Sequence, residues 1–417
     1  MKRRGFLSGM TGIAAAIALA SGAAVAQSKD PIKIGCGMSL TGGLAANGKA
    51  AMIAMNIWEE DVNAKGGLLG RPIKINCYDD QTNPSTVPGI YSKLIDNDKV
   101  DLIVSGYGTN LIAPAMPLAM QRNLLFMGLF GLDVNQKFKY DRYFQIMPTG
   151  PTPALGWSEG FFEVALSAGV KTIALVGADA EYPAVALEAA REHVKKKGFK
   201  LVYDKTYPPN TVDYTPIVRA IQATNPDAVF VASYPPDSAG MIRAANEIGL
   251  KTKMFGGGMV GTQFAALRTQ LAGQINGLVN FEFWAPEAAD KFPFLNPFLK
   301  KYQERAAKEG VDLLGFYLPP YAYAMMQVYE QAITATKGLD QGKLAEYIHK
   351  SEFDTVVGKV RFAKNGEWDR ARVMLVQYHS ISGNDLDQWK KPGRINILYP
   401  NDFKTATVKA PYQDNRK

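Results

Sequence analysis

Asp101-Leu-Ile-Val-Ser-Gly-Tyr-Gly-Thr-Asn110 has the pattern of a strand, a tight corner and a helix start in ten residues. Leu102 to Ser105 read as a short buried strand, Gly106-Tyr107-Gly108 as a glycine-rich corner, and Thr109 and Asn110 as the start of a helix. At such a start a Thr or Asn side chain caps the helix while free backbone N–H groups still point outward. A corner of this kind can seat a carboxylate or another acceptor group. Taken alone, the same pattern is an ordinary strand-to-helix turn, so its meaning depends on what the chain places around it.

On both sides of this stretch, short β-rich runs alternate with amphipathic helical segments. Strands are expected at 32–38, 73–78, 102–105 and 124–128, and helices at 47–63, 86–97 and 111–121. The first helical segment carries Ala51, Ala54, Met55, Trp58 and Val62 at spacings of three and four, with Asn47 as its cap. Repeated strand–helix units whose strands are apolar on both faces imply a parallel sheet covered by helices. Pro and Gly residues break the pattern in Tyr143-Phe-Gln-Ile-Met-Pro-Thr-Gly-Pro-Thr-Pro153, as a crossing between domains would.

A second α/β series follows, with strands at 172–177, 200–206, 228–233 and 253–256 and helices at 183–197, 214–223 and 238–248. After a further break at Asn280-Phe-Glu-Phe-Trp-Ala-Pro286 the pattern is helical to about 350, then two strands at 356–362 and 372–380 precede a Gly/Pro-rich tail. The simplest packing returns the late helices to the first sheet. That divides the chain into a leader 1–26, one lobe of 27–148 plus 281–360, and another of 149–280 plus 361–417. Crossings then fall near 148–153, 280–283 and 360–372, and a cleft runs along the strand C-terminal ends, where open α/β sheets bind ligands.

The leader has the form of a signal peptide. Lys2, Arg3 and Arg4 start it, residues 10–20 form an apolar run too short to span a membrane, and Ala24-Val25-Ala26 is an A-x-A cleavage site. Arg3-Arg4-Gly5-Phe6-Leu7 also fits a twin-arginine export signal. A soluble, periplasmic mature chain of 417 − 26 = 391 residues is expected, long enough for two domains. Its net charge is +8 − 3 = +5, and the basic residues are scattered except for Lys195-Lys196-Lys197, which argues against a nucleic-acid face. The two cysteines end matching runs, Pro31-Ile-Lys-Ile-Gly-Cys36 and Pro72-Ile-Lys-Ile-Asn-Cys77. On neighbouring in-register strands Cys36 and Cys77 would stand close enough for a disulfide, in an oxidising compartment, and two buried thiols fit the pattern equally.

Catalytic constellations are missing from the sequence. His193, His349 and His379 have no metal-ligand spacing and the mature chain has no G-x-S-x-G elbow, so neither a metal site nor a hydrolase is expected. Asp79-Asp80 before Asn83-Pro84 reads as turn chemistry. Gly256-Gly-Gly258-Met-Val-Gly261 fits G-x-G-x-x-G, with Glu282 roughly where a ribose-binding acid would stand, but inside the aromatic crossing. The better reading is a loop whose bare backbone lets a ligand or the other lobe approach. No cofactor and no enzymatic activity are expected, and a periplasmic oxidoreductase built on 256–261 is the least favoured alternative.

What the strand ends offer is a set of binding groups: 39–47 with Asn47, Tyr107-Gly108-Thr109, Leu129-Phe130-Gly131-Leu132, Glu181-Tyr182, Tyr234-Pro-Pro-Asp237 and Gly258-Met259. Tyrosines at such corners combine an apolar face with a hydroxyl, which suits a small, partly apolar ligand. By spacing alone, Tyr182 and Tyr234 fit packing as well as binding.

These residues resemble the periplasmic solute-binding proteins of the leucine/isoleucine/valine transporter type. The resemblance runs through Ile32-Lys-Ile-Gly, Ser39-Leu-Thr-Gly42, Asn63-Ala-Lys-Gly-Gly-Leu-Leu-Gly-Arg-Pro72, Asp79-Asp80, Asn83-Pro84, Asp213-Tyr214-Thr-Pro216 and Asn225-Pro-Asp-Ala-Val-Phe230, and covers essentially all of the mature chain. It implies a two-lobed type I binding protein that closes by a hinge on a small solute and delivers it, as a monomer, to the membrane permease of an ABC importer. In such proteins the corner matching Tyr107–Asn110 binds the ligand carboxylate through hydroxyls and N–H groups, a role that Thr109 fits. The next strand end usually carries hydroxyl residues, but here Phe130 and Gly131 stand there, leaving backbone donation at Gly131. Tyr182 matches a position that closes over the ligand, and Tyr234 a pocket position. Where amino-acid binders place a carboxylate for the ligand ammonium, this chain has Gly258 and Met259. The expected ligand is therefore a carboxylate or amide with an apolar or aromatic body. A branched-chain amino acid, or a ligand sensed rather than transported, are the alternatives.

Overall fold

The computed structural model describes residues 30–416, so the expected leader lies outside the described residues. Five short strands, β1 (Ile32–Met38), β2 (Ile73–Asp79), β3 (Leu102–Val104), β4 (Phe126–Gly128) and β5 (Tyr143–Gln145), form an all-parallel sheet in the order β2-β1-β3-β4-β5. Five more, β6 (Thr172–Ala178), β7 (Lys200–Tyr207), β8 (Ala228–Ser233), β9 (Met254–Met259) and β10 (Val279–Glu282), build the parallel part of a second sheet. A hairpin, β11 (Glu352–Thr355) and β12 (Gly358–Arg361), stands apart, and the antiparallel strands β13 (Met374–Tyr378) and β14 (Ile395–Tyr399) complete the second sheet in the order β14-β13-β10-β9-β8-β6-β7. The two-lobed α/β architecture expected from the alternating pattern is the one observed.

Differences from the sequence reading lie where punctuation residues masked short strands. β5 sits inside the segment read as a crossing, because its three residues run directly into Pro148 and Gly150. β10 occupies the second break, so Phe281 and Glu282 belong to the second sheet and not, as expected, to the first lobe. β14 lies in the Gly/Pro-rich tail, where no strand is expected from the sequence. Asn47 is not a cap: the first helix runs Ala45–Ala64 from Leu44, and Asn47 is buried in its opening turn.

The late helices do return to the first sheet. Helices Leu295–Glu309 and Leu318–Thr336 pack on Ala45–Ala64, with Trp58 Nε1 donating to Glu330 (2.9 Å), Tyr323 donating to Asp61 (2.9 Å) and Lys301 pairing with Asp61. The Tyr329 hydroxyl donates to the Ile103 carbonyl of β3 (2.8 Å), anchoring the same helix to the sheet. The crossings lie side by side: Thr149 bridges Ala371, Arg372 N–H donates to the Pro148 carbonyl (2.8 Å), and Gln145 N–H donates to the Gly366 carbonyl (2.8 Å). Cys36 stands opposite Cys77 in the β1–β2 register, with Cα atoms 4.5 Å apart, and the two are joined in a disulfide.

The glycine run at 256–258 is explained by the sheet rather than by a loop. A Cβ on Gly256 would lie 2.1 Å from the Val279 carbonyl oxygen, and one on Gly257 would lie 2.5 Å from the Phe230 ring. These residues are the body of β9, stripped of side chains so that β10 and the ring of Phe230 can approach.

Candidate functional site

In both sheets the strand order reverses once, between β1 and β3 in the first and between β6 and β8 in the second. Such switch points leave a crevice at the strand C-terminal ends. The segments leaving β1 and β3 contribute Leu44 and Tyr107 through Asn110 to a shared cleft, and those leaving β6 and β8 contribute Tyr182 and Tyr234. Phe130 and Gly131 follow β4, while Met147, Trp157, Phe281 and Tyr317 come from the crossings and the helices beside them.

The 105–110 corner is held by its neighbour strand. Ser105 Oγ accepts from Leu129 N–H (2.7 Å) and donates to the Gly106 carbonyl (2.7 Å), and Gly108 N–H donates to the Phe130 carbonyl (2.9 Å). Gly108 has φ +101° and ψ 146°, a conformation open essentially to glycine alone. It is the helix cap, so the side-chain capping expected of Thr109 or Asn110 does not occur. Thr109 Oγ1 instead accepts from Leu132 N–H (3.0 Å), which leaves the hydroxyl hydrogen available. The N–H groups of Thr109 and Asn110 have no acceptor in the described chain, as expected of a helix's first turn.

From the other lobe, Tyr182 donates to the Gly258 carbonyl (2.8 Å) and meets the rings of Trp157 and Tyr234 edge-on, each at 5.5 Å. The Tyr107 and Tyr317 hydroxyls stand 3.1 Å apart. Burial pushes the Tyr107 phenol up to about 12, against the hydrogen bond with Tyr317. Burial, reinforced by neighbouring tyrosines, holds the phenols of Tyr182, Tyr234 and Tyr317 well above the usual range. All four are neutral at physiological pH. Asp79 and Asp80 serve the adjoining loop: Asp79 accepts from Leu40 N–H (2.9 Å), Thr41 N–H (3.1 Å) and Thr41 Oγ1 (2.6 Å), and Asp80 accepts from Ser39 Oγ (2.6 Å).

Seven of the ten residues singled out in the sequence line this cleft: Tyr107, Gly108, Thr109, Phe130, Gly131, Tyr182 and Tyr234. Three do not. Asn47 is buried in its helix outside the lining, Gly258 reaches the site only as the acceptor for Tyr182, and Met259 is fully buried, its backbone bonded to Asn280. Val260 takes the lining position instead. Trp157, Phe281 and Tyr317 were missed because they lie in or beside segments read as breaks or featureless helix; their aromatic density was the available signal.

No lining residue is charged. The cleft is nearly shut, with a cavity volume of about 30 Å³, room for about two waters. The lobes are drawn together: residues 109–112 pack on helix Glu181–Lys197, and Ala265 N–H donates across to Asp312 (2.8 Å). Two switch points closed over an uncharged, hydroxyl-bearing cleft define a receptor for a small molecule.

The chain belongs to the periplasmic binding protein family, whose model matches residues 31–380. It is 23% identical over 417 residues to Leu/Ile/Val-binding protein homolog 7 of Brucella abortus, covering 94% of this chain and 97% of the relative. In structure it is similar to a leucine-binding protein from Thermotoga maritima (TM-score 0.72, 20% identity, 88% of this chain and 97% of that one). A solute-binding protein of an ABC transporter from R. palustris in complex with 4-hydroxybenzoate is equally similar (TM-score 0.73, 19% identity, 85% and 95%). The family and fold are those of binding proteins that take up small solutes and work with membrane permeases.

Proposed function

We propose that this protein is an exported, monomeric, non-catalytic receptor that closes on a small carboxylate- or amide-bearing solute with an apolar or aromatic body and passes it unchanged to an ABC permease. The observation that carries the ligand class is the contrast within the cleft. The unpaired N–H groups of Thr109 and Asn110 and the Thr109 hydroxyl offer donors for a carboxylate, while no side chain of the lining offers a counter-charge to an ammonium. Burying an unpaired ammonium is costly, which disfavours an α-amino acid. Aromatic rings from both lobes supply the apolar wall. The solved neighbour holding 4-hydroxybenzoate supports the same class, whereas the names of the leucine-binding relatives support a branched-chain amino acid. A cleft completed within one chain supports a monomer, and crossings that lie side by side support capture by hinge closure.

Titration calorimetry with leucine, phenylalanine and a panel of aromatic and aliphatic carboxylates tests the reading. Binding of at least one carboxylate, and none of leucine, is expected. Tight leucine binding without carboxylate binding overturns it.

A further inference from the structure

The hydroxyls of the lining differ in what they have left to give. Tyr182 commits its hydrogen to the Gly258 carbonyl (2.8 Å). The Tyr107 and Tyr317 hydroxyls have only each other, at 3.1 Å, among the described residues. Within that pair one hydroxyl donates to the other, so one hydrogen and unshared lone pairs remain. The rings that carry them are locked. Tyr317 stacks on Phe283 (centroids 5.7 Å apart, planes 19°), is met edge-on by Phe130 (5.2 Å), and meets the ring of Tyr107 at 6.1 Å and 82°. Both tyrosines are nearly buried, so little water reaches the pair.

The Tyr107 hydroxyl stands a ring's length from the backbone of its own corner. Besides the Tyr182 and Tyr234 hydroxyls, the oxygen pair and the Thr109–Asn110 donors are thus two polar points on an aromatic and aliphatic wall. Resting on the carboxylate reading of this cleft, we propose that the Tyr107–Tyr317 pair recognises a hydroxyl group on the ligand's aromatic body, which makes the ligand a hydroxylated aromatic monocarboxylate. A hydroxyl matches the pair better than a keto oxygen does, because it accepts the remaining hydrogen and returns its own to a free lone pair. A methyl group of similar size leaves the buried O–H unpaired, the case in which a polar site rejects an isostere. The uncharged lining sets the ligand's net charge at one carboxylate, since a second would lie without a partner.

The test is calorimetry with benzoate, 3- and 4-hydroxybenzoate and the matching methylbenzoates, on the full chain and on Tyr107→Phe, Tyr317→Phe and the double variant. The wild-type chain is expected to bind a hydroxybenzoate at least about tenfold tighter than its methyl counterpart. The double variant should bring that ratio near one, by losing the bond to the ligand hydroxyl and no longer leaving an O–H unpaired against the methyl group, and a cooperative thermal unfolding transition shows that it is folded. Equal wild-type binding of the two, or a ratio that survives in the double variant, overturns the role of the pair while leaving the carboxylate site standing. Failure of every carboxylate in the panel overturns the site and the pair together.

Discussion

Replacing Thr109 by valine removes one oxygen and keeps the β-branched shape, and the structure assigns that oxygen two tasks. It accepts the Leu132 N–H at 3.0 Å, and its own hydrogen is free beside the unpaired N–H groups of Thr109 and Asn110. Thr109 is 7% exposed, so the loss is felt away from bulk water. The first task sets a stability cost: a buried N–H left without an acceptor costs about 1–3 kcal/mol, which denaturation of the unliganded protein reads. The second sets an affinity cost: a hydrogen bond to a charged acceptor contributes about 1.5–3 kcal/mol, or roughly ten- to a hundred-and-fifty-fold in Kd for a bound carboxylate. Thr109→Ser should restore most of both, since serine keeps the oxygen and loses a methyl. The two readouts separate the roles. A valine variant that is destabilised yet binds the carboxylate at wild-type affinity would refute the assignment of Thr109 to the ligand. Unchanged stability would refute its bond to Leu132 as a structural tie.

The Cys36–Cys77 disulfide closes a sequence separation of 41 residues, for which loop-closure entropy gives about 4 kcal/mol. The Cys36→Ala/Cys77→Ala chain should lose up to that amount in urea unfolding, and a midpoint unchanged from wild type would contradict it. Glu367, in the third crossing, is buried with neither carboxylate oxygen partnered, and burial, reinforced by Asp133, holds its acid well above the ordinary range. The folded chain therefore keeps a proton that the unfolded chain releases near about pH 4.3, so stability falls as pH rises above that value, by up to about 1.4 kcal/mol per pH unit until the folded group titrates. Glu367→Gln should be more stable than wild type at pH 8, with a difference that shrinks toward pH 5. A difference independent of pH would show that Glu367 is charged in the folded state.

The alternation of β-rich runs with helical segments was enough to reveal one parallel sheet and the parallel part of a second, because strands such as Ala228–Ser233 are buried along their whole length and carry no competing pattern. β5, β10 and β14 were hidden for a common reason. Each is three to five residues long and abuts Pro or Gly residues or an aromatic cluster, so local punctuation outweighed pairing that only the sheet supplies. In the site, the residues leaving β1, β3, β4, β6 and β8 were legible because topology alone sends strand C-terminal ends to the cleft. Tyr317 was not legible, since it precedes a helix of the first lobe that is some two hundred residues from its partner Tyr107 in sequence, a span the hydrogen-bond separation of 210 makes concrete. Met259 illustrates the opposite error: the strand runs three residues beyond its expected end at Gly256, which moves the lining position to Val260. The inference it supported survives on different residues, because no side chain of the cleft is charged.

The central claim is that the cleft holds a carboxylate or amide without an ammonium. Native mass spectrometry of the protein purified from its own periplasm, followed by release and mass determination of what it carries, tests this most directly. A bound small acid or amide lacking a basic amine is expected; leucine, isoleucine or valine as the carried ligand would contradict the ligand class.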